Sequence, residues 1–78
     1  MIKELDLVVL NHDIAGYPLT GGDIGTVVNC YKDNAAFEVE FLTAEGKTVA
    51  LLTLTADEIR PRLSSEILHA REVESASV

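Results

Sequence analysis

Residues 21–28 read Gly-Gly-Asp-Ile-Gly-Thr-Val-Val and constrain the fold more than any other stretch of the chain. Glycine adopts positive φ without steric cost, so Gly21 or Gly22 is suited to a tight turn. The β-branched residues that follow favour an extended strand. Gly25, near the start of that strand, indicates a bulge, a sharp bend or a close backbone approach, as at the corner of a small barrel. The stretch therefore predicts a turn that leads into a strand, and it carries no reactive group.

Short strands account for most of the remaining chain. The clearest alternation lies in residues 36–42, where Phe37, Val39 and Phe41 share one face and two glutamates share the other. Apolar and β-branched runs bounded by turn residues indicate further strands. These predicted strands cover residues 5–10, 24–32, 48–55 and 60–63. Residues 11–22 are rich in Gly, Asn, Asp and Pro and predict a long irregular loop.

Turn and cap residues separate the later strands. Asp33 and Asn34 both tolerate the left-handed region, so they predict a tight hairpin turn. Thr55 is followed three residues later by Glu58, the spacing of a capping box, which predicts one helical or 3₁₀ turn before the last strand. Pro61 restricts the residue before it and ends that turn.

Together these elements predict an all-β fold, a small five-stranded SH3-like barrel with a one-turn helix before the last strand. We assign residues 1–63 to the barrel and residues 64–78 to a C-terminal tail. The tail has a weakly helical pattern, because Leu63, Ile67 and Ala70 share one helical face. The last residues of the tail are mostly polar or small, which favours fraying. We therefore expect the tail to be a short helix or disordered.

The predicted strand over residues 48–55 is apolar on both faces. Val49 and Leu51 lie on one face, and three further apolar side chains lie on the other. An antiparallel strand of an isolated barrel normally shows a polar outer face. Either the tail or another chain is expected to cover this strand, and the second alternative is a homo-oligomer through residues 48–55.

Charge excludes several classes of partner. The chain has 13 acidic and 6 basic residues among its 78, for a net charge of −7. Because nucleic-acid affinity comes largely from basic side chains on phosphates, we expect no binding to DNA or RNA. The same charge opposes attraction to an anionic membrane surface, and the longest apolar run is too short to span a bilayer. A basic protein partner fits the charge, although acidity also serves solubility.

Cysteine usage and the N-terminal sequence favour the cytoplasm. Cys30 is the only cysteine, so an intramolecular disulfide is impossible, and one Cys with two distant His residues gives no zinc-ligand spacing. Residues 1–6 place acids where a signal peptide would be apolar. We therefore expect a cytoplasmic protein with no metal and no cofactor.

No catalytic constellation emerges from the residues. Cys30 is expected on the core face together with Val28, away from any base that could activate it. Glu38 and Glu40 would lie about 7 Å apart on one strand face, a spacing known from glycosidases, but a barrel this small lacks a sugar cleft. The solvated strand face is the simpler interpretation, and we expect no enzymatic activity.

A recognition surface is the remaining functional feature. The long loop carries Tyr17 and Leu19, Tyr31 ends the second strand, and Glu38 and Glu40 form an acidic strand face. Exposed aromatic side chains beside polar groups are typical of protein-binding patches. We predict these five residues as the binding residues. The alternative is that Tyr17 and Leu19 only pack the loop onto the barrel.

The order of the motifs resembles a bacterial family of small uncharacterised proteins, defined as a domain of unknown function. The motifs include Gly-Asp-Ile-Gly-Thr-Val-Val and Phe-Glu-Val-Glu-Phe, and they lie at residues 3–10, 22–28, 37–41, 45–48 and 54–61. The similarity covers residues 3–62 and leaves the tail outside. It implies a compact SH3-like barrel, and it supplies neither an activity nor catalytic residues.

The sequence thus predicts a non-enzymatic cytoplasmic protein-interaction module of unknown partner. The alternative is a small acidic antitoxin or immunity protein that neutralises a toxin encoded beside it, because a small acidic surface suits a basic enzyme. A third hypothesis is an enzyme whose site forms at a subunit interface and uses His12.

Overall fold

Five short strands build the domain in the computed structural model, which describes residues 1–73. They are β1 (Leu7–Leu10), β2 (Ile24–Cys30), β3 (Ala36–Leu42), β4 (Thr48–Thr55) and β5 (Ile59–Pro61). All neighbours are antiparallel, and the sheet order is β4-β3-β2-β1-β5. Strands β1 to β4 form a meander and β5 returns to pair with β1. The prediction of a small all-β domain with five strands is confirmed.

The helical turn lies elsewhere than predicted. A 3₁₀ turn occupies Lys32–Asn34, between β2 and β3, where Asp33 and Asn34 have φ of 62° and 54° as the hairpin residues were expected to have. The one-turn helix expected before β5 is wrong. Glu58 does accept the Thr55 backbone N–H at 2.8 Å, but β5 begins one residue later and leaves only a hydrogen-bonded turn.

The core lies on the inner face of the sheet. Val8, Val27 and Val39 are fully buried, and Phe37 and Phe41 are each 2% exposed. The alternation read in residues 36–42 is therefore confirmed, because burial of apolar area drives such side chains inward. The remaining members of the core cluster are Leu10, Leu19, Ala50, Leu54 and Ile59.

Gly25 marks a close approach of side chains and not a bulge. It pairs directly with Val8 of β1, inside a regular stretch of the ladder. A Cβ atom placed on Gly25 would lie 2.5 Å from Val39 Cγ1 and 2.8 Å from Phe41 Cε2. These distances are far below van der Waals contact, so only glycine allows β3 side chains to pack over this point of β2.

The bulge in β2 lies three residues further on. The register shifts between Val27 and Asn29, which leaves Val28 as the extra residue and 38% exposed. An extra residue changes which side chains face the core beyond it. Cys30 consequently packs against the core, as predicted, but Val28 points outward and the expected shared face of the two is wrong.

Residues 64–73 of the tail form a turn followed by an irregular segment, and two ion pairs hold this part of the chain. Arg60 of β5 makes a bidentate ion pair with Glu66, and Arg71 makes one with Asp23 just before β2. Residues 64–73 contain no helix, so the weak helical pattern is not realised there, and residues 74–78 of the predicted tail lie outside the described part. No helix within residues 1–73 has the length and apolarity needed to cross a membrane.

Candidate functional site

The outer side of β3 presents two carboxylates. Glu38 and Glu40 alternate with buried residues, so both side chains leave the sheet on the side away from the core. Glu38 lies opposite Asn29 of β2 and Thr53 of β4, and Glu40 lies opposite Leu51 of β4. Their position follows directly from the period of two of a β-strand.

Exposed apolar side chains flank the two carboxylates. On one side the β2 bulge turns Val28 outward, and on the other side Leu51 of β4 is 52% exposed. We call Val28, Glu38, Glu40 and Leu51 the acidic outer face. Tyr31, which is 42% exposed, lies at one end of this face, where β2 turns into β3.

The carboxylates of this face are not neutralised by a neighbour. Glu40 accepts a hydrogen bond from the Thr48 hydroxyl at 2.8 Å, which orients it but leaves its charge. Among residues 1–73 no Lys, Arg or His lies within ion-pair distance of Glu38 or Glu40. The face therefore combines two available negative charges with two apolar contacts.

The two predicted binding residues of the long loop differ in their exposure. Leu19 is 3% exposed, pairs with Ile14 in an isolated bridge and belongs to the core, so a partner cannot contact it. Its assignment as a binding residue is corrected, because packing the loop onto the sheet removes it from the surface. Tyr17 stays 48% exposed and lines a groove with Leu42, at the opposite end of β3 from Tyr31. The structure thus brings Tyr31, Glu38 and Glu40 to one side and leaves Tyr17 apart.

Two members of the acidic outer face were not predicted as site residues. Leu51 had a signal, because the strand at residues 48–55 is apolar on both faces. The structure leaves it exposed, so the tail does not cover this part of β4 within the described residues. Val28 had no such signal, since its outward position depends on a register shift between two strands.

A groove of about 870 Å³ runs along the other end of β3. The loop at residues 16–24, the β3–β4 hairpin and tail residues 69–73 form its walls. Burial favours a raised pKa for Asp23 at its edge, but hydrogen bonds from Arg71 and from Thr20 outweigh burial and lower that pKa. Asp23 is therefore a charged anchor for the tail, and the groove is partly built by the tail itself.

The side chains considered for catalysis, Cys30 and His12, do not come together in one site. Cys30 is half-buried, and its Sγ lies 4.0 Å from the carbonyl oxygen of Ile2. His12 Nε2 lies 3.8 Å from Glu58 Oε2, and its Nδ1 contacts the Asp13 carbonyl. Within residues 1–73 no three Cys, His, Asp or Glu side chains cluster as metal ligands would.

A family model for a domain of unknown function (DUF4926) matches residues 4–61. The chain belongs to this family. The matched region contains all five strands and the acidic outer face of this DUF4926 domain, and it ends before the tail. The predicted resemblance over residues 3–62 is confirmed as a resemblance to a domain of unknown function. No curated protein and no solved structure matches the chain.

Proposed function

We propose that this DUF4926 domain is a non-enzymatic interaction module of the cytoplasm that binds a basic protein through the acidic outer face. The observation that carries the proposal is the placement of Glu38 and Glu40, without a neutralising cation within residues 1–73, between exposed Val28 and Leu51. Charged groups steer a partner of opposite sign and set its orientation. The apolar side chains contribute the contact area that is removed from water.

The charge of the whole chain supports a basic partner. A net charge of −7 attracts cationic proteins at long range and accelerates their encounter. The attraction is screened over about 8 Å at physiological ionic strength. Binding through this face is therefore expected to weaken as salt increases.

A narrower form of the same proposal is an antitoxin or immunity protein, whose basic partner is a toxin encoded beside it. It uses the same surface and differs only in the consequence of binding. Co-expression with a neighbouring toxic gene separates the two forms. Relief of toxicity that is lost in the Glu38→Gln/Glu40→Gln variant supports the antitoxin, and persistent toxicity leaves the general module.

The experiment is a pull-down of the tagged chain at native expression, read by mass spectrometry against a bare tag. The wild type is compared with Glu38→Gln/Glu40→Gln, which removes two charges from the face. The matched control is Glu4→Gln/Glu45→Gln, which removes two exposed charges elsewhere. A stoichiometric basic partner that is lost with the first variant and kept with the second supports the proposal.

A second pair of variants tests the extent of the surface. Tyr31→Ala is expected to weaken capture because Tyr31 lies at the end of the acidic outer face, whereas Tyr17→Ala, at the other end of β3, is expected to leave it intact. Equal capture by the wild type and the Glu38→Gln/Glu40→Gln variant would overturn the proposal, as would the absence of any stoichiometric partner.

A further inference from the structure

The two edges of the sheet differ in how well they are protected. An unpaired edge strand offers a row of backbone N–H and C=O groups to any other strand, and proteins usually blunt it with charge, proline or short length. At one edge β5 has three residues, includes Pro61 and has Arg60 engaged by Glu66 of the tail. At the other edge β4 has eight residues, all Thr, Val, Ala or Leu, and pairs only with β3 among the described strands.

From this difference we infer that β4 pairs antiparallel with β4 of a second copy of this chain. The two copies would be related by a two-fold axis perpendicular to the sheet, which joins the two five-stranded sheets into one of ten strands. Leu52 is on the inner side of β4 but is only partly buried, and Leu51 is half-exposed on the outer side. Both would lose exposed apolar area in such a pair. The inference does not rest on the proposed function, because it concerns backbone pairing at the edge of the sheet; Leu51 is the one residue of the acidic outer face that takes part in both.

The charges at the two ends of β4 favour a second copy as the occupant. Lys47 precedes the strand, and Asp57 and Glu58 follow it. An antiparallel self-pair brings the Lys47 end of each strand beside the acidic end of the other, so the complementary contact forms twice. Parallel pairing would instead bring like charges together, which is destabilising.

The register follows from the same charges. With Leu52 on the two-fold axis, Leu51 faces the partner's Thr53, and Lys47 extends toward the partner's Asp57. From Ala50 to Leu54, beyond the register shift at Val49, opposite residues then have the same parity, so inner faces continue into inner faces. A register centred on Leu51 would instead place Lys47 opposite the partner's Thr55, short of that partner's acidic turn.

The strong negative charge of the chain does not oppose this pairing. No charged residue lies within β4, and the nearest acids on its outer side are Glu38 and Glu40 of β3. In the proposed register Glu40 lies three strand spacings, about 14 Å, from the partner's Glu38. That distance exceeds the screening length of about 8 Å in physiological salt, so the repulsion is weak.

Sedimentation equilibrium of the full chain over a range of concentrations measures the self-association. The wild type is expected to form a dimer that dissociates on dilution. Thr53→Lys adds a charge to the exposed side of the edge and is expected to weaken the dimer at least roughly tenfold. Lys47→Glu is expected to raise the dissociation constant about three- to tenfold, since it places like charges opposite each other twice.

The charge exchange Lys47→Glu/Asp57→Lys provides the decisive comparison. It reverses both partners of the contact and is expected to restore the dissociation constant to within about twofold of the wild type. Lys3→Glu, in the segment before β1, makes the same charge change away from the edge and should have no effect. Thermal unfolding verifies that each variant folds, because Asp57 also accepts a hydrogen bond from the Thr55 hydroxyl.

Three results would overturn the inference. They are a monomer at every concentration, a dimer that responds equally to Lys47→Glu and Lys3→Glu, and a charge exchange that fails to restore association. Glu38→Gln/Glu40→Gln is expected to leave the dimer intact. A wild-type chain that stays monomeric but captures a basic partner through Glu38 and Glu40 would contradict this inference and leave the proposed function standing.

Discussion

Arg71 binds both oxygens of the Asp23 carboxylate, with its Nε 2.8 Å from Oδ1 and its NH2 group on Oδ2. The same guanidinium donates to the Pro18 carbonyl at 2.9 Å. These bonds connect residues 48 and 53 positions apart and attach the tail to the turn that opens β2. The tail lies outside the matched family region, so this attachment is a feature of the chain beyond its DUF4926 domain.

Arg71→Gln is expected to release the tail while the sheet stays folded. The pair is near the surface, where an ion pair stabilises by about 0.2–1 kcal/mol, so the melting temperature should change little. Backbone ¹⁵N order parameters of residues 67–73 should fall to the flexible range, below about 0.6. Arg62→Gln is the control, since Arg62 makes no ion pair within residues 1–73. Unchanged order parameters in Arg71→Gln would show that other contacts hold the tail.

The second attachment, Arg60 to Glu66, is expected to persist in acid. Hydrogen bonding by the Arg60 side chain, with a further bond from the Leu63 backbone N–H, lowers the pKa of Glu66 from 4.5 to about 2. A carboxyl whose pKa is lower in the folded state stabilises that state fully above the unfolded pKa. The contribution of this pair is therefore present above about pH 4.5 and is lost as pH falls toward 2.

An NMR titration of the Glu66 carboxyl measures this directly. The midpoint is expected near 2 in the wild type. In Arg60→Gln, which removes the charged donor, it should rise toward the ordinary value of 4.5. A wild-type midpoint at the ordinary value would mean that the pair does not form in solution.

Gly25→Ala is expected to destabilise the domain by about 1–3 kcal/mol, the usual cost of overpacking a core. The new methyl would lie 2.5 Å from Val39 Cγ1, and Val39 is fully buried and has no room to move. Urea unfolding of Gly25→Ala, Val39→Ala and the double variant forms a cycle. The double variant should be more stable than the sum of the two losses implies, because Val39→Ala removes the clashing methyl group. Strict additivity would rule out the contact with Val39 as the cause and leave the contact with Phe41, whose Cε2 would lie 2.8 Å from the new methyl.

Local patterns were sufficient to predict where the five strands lie along the chain. The alternation in residues 36–42 and the apolar run in residues 48–55 became β3 and β4 with the predicted bounds. Asp33 and Asn34 have positive φ because their short polar side chains tolerate it. At other ends the strands are shorter than predicted. β1 begins at Leu7, and Leu5 before it has a φ of 74°, which an extended strand does not allow.

The candidate site was only partly predictable. Glu38 and Glu40 follow from alternation within one strand, so their shared outer face could be predicted from sequence. Leu19 could not, because its burial depends on where a long loop folds back onto the sheet. Val28 depends on a bulge, which exists only relative to the register of β3.

The amino-acid sequence by itself determined the all-β class, the positions of the strands along the chain, the alternation of buried and exposed residues in β3 and the acidic charge, since each arises from neighbouring residues or from composition. The tertiary structure alone decided the bulge at Val28, the packing of Val39 and Phe41 over Gly25, and the attachment of the tail through Arg71. Each of these joins groups that are distant in the chain. Their energies depend on distances between side chains that exist only once the sheet has formed.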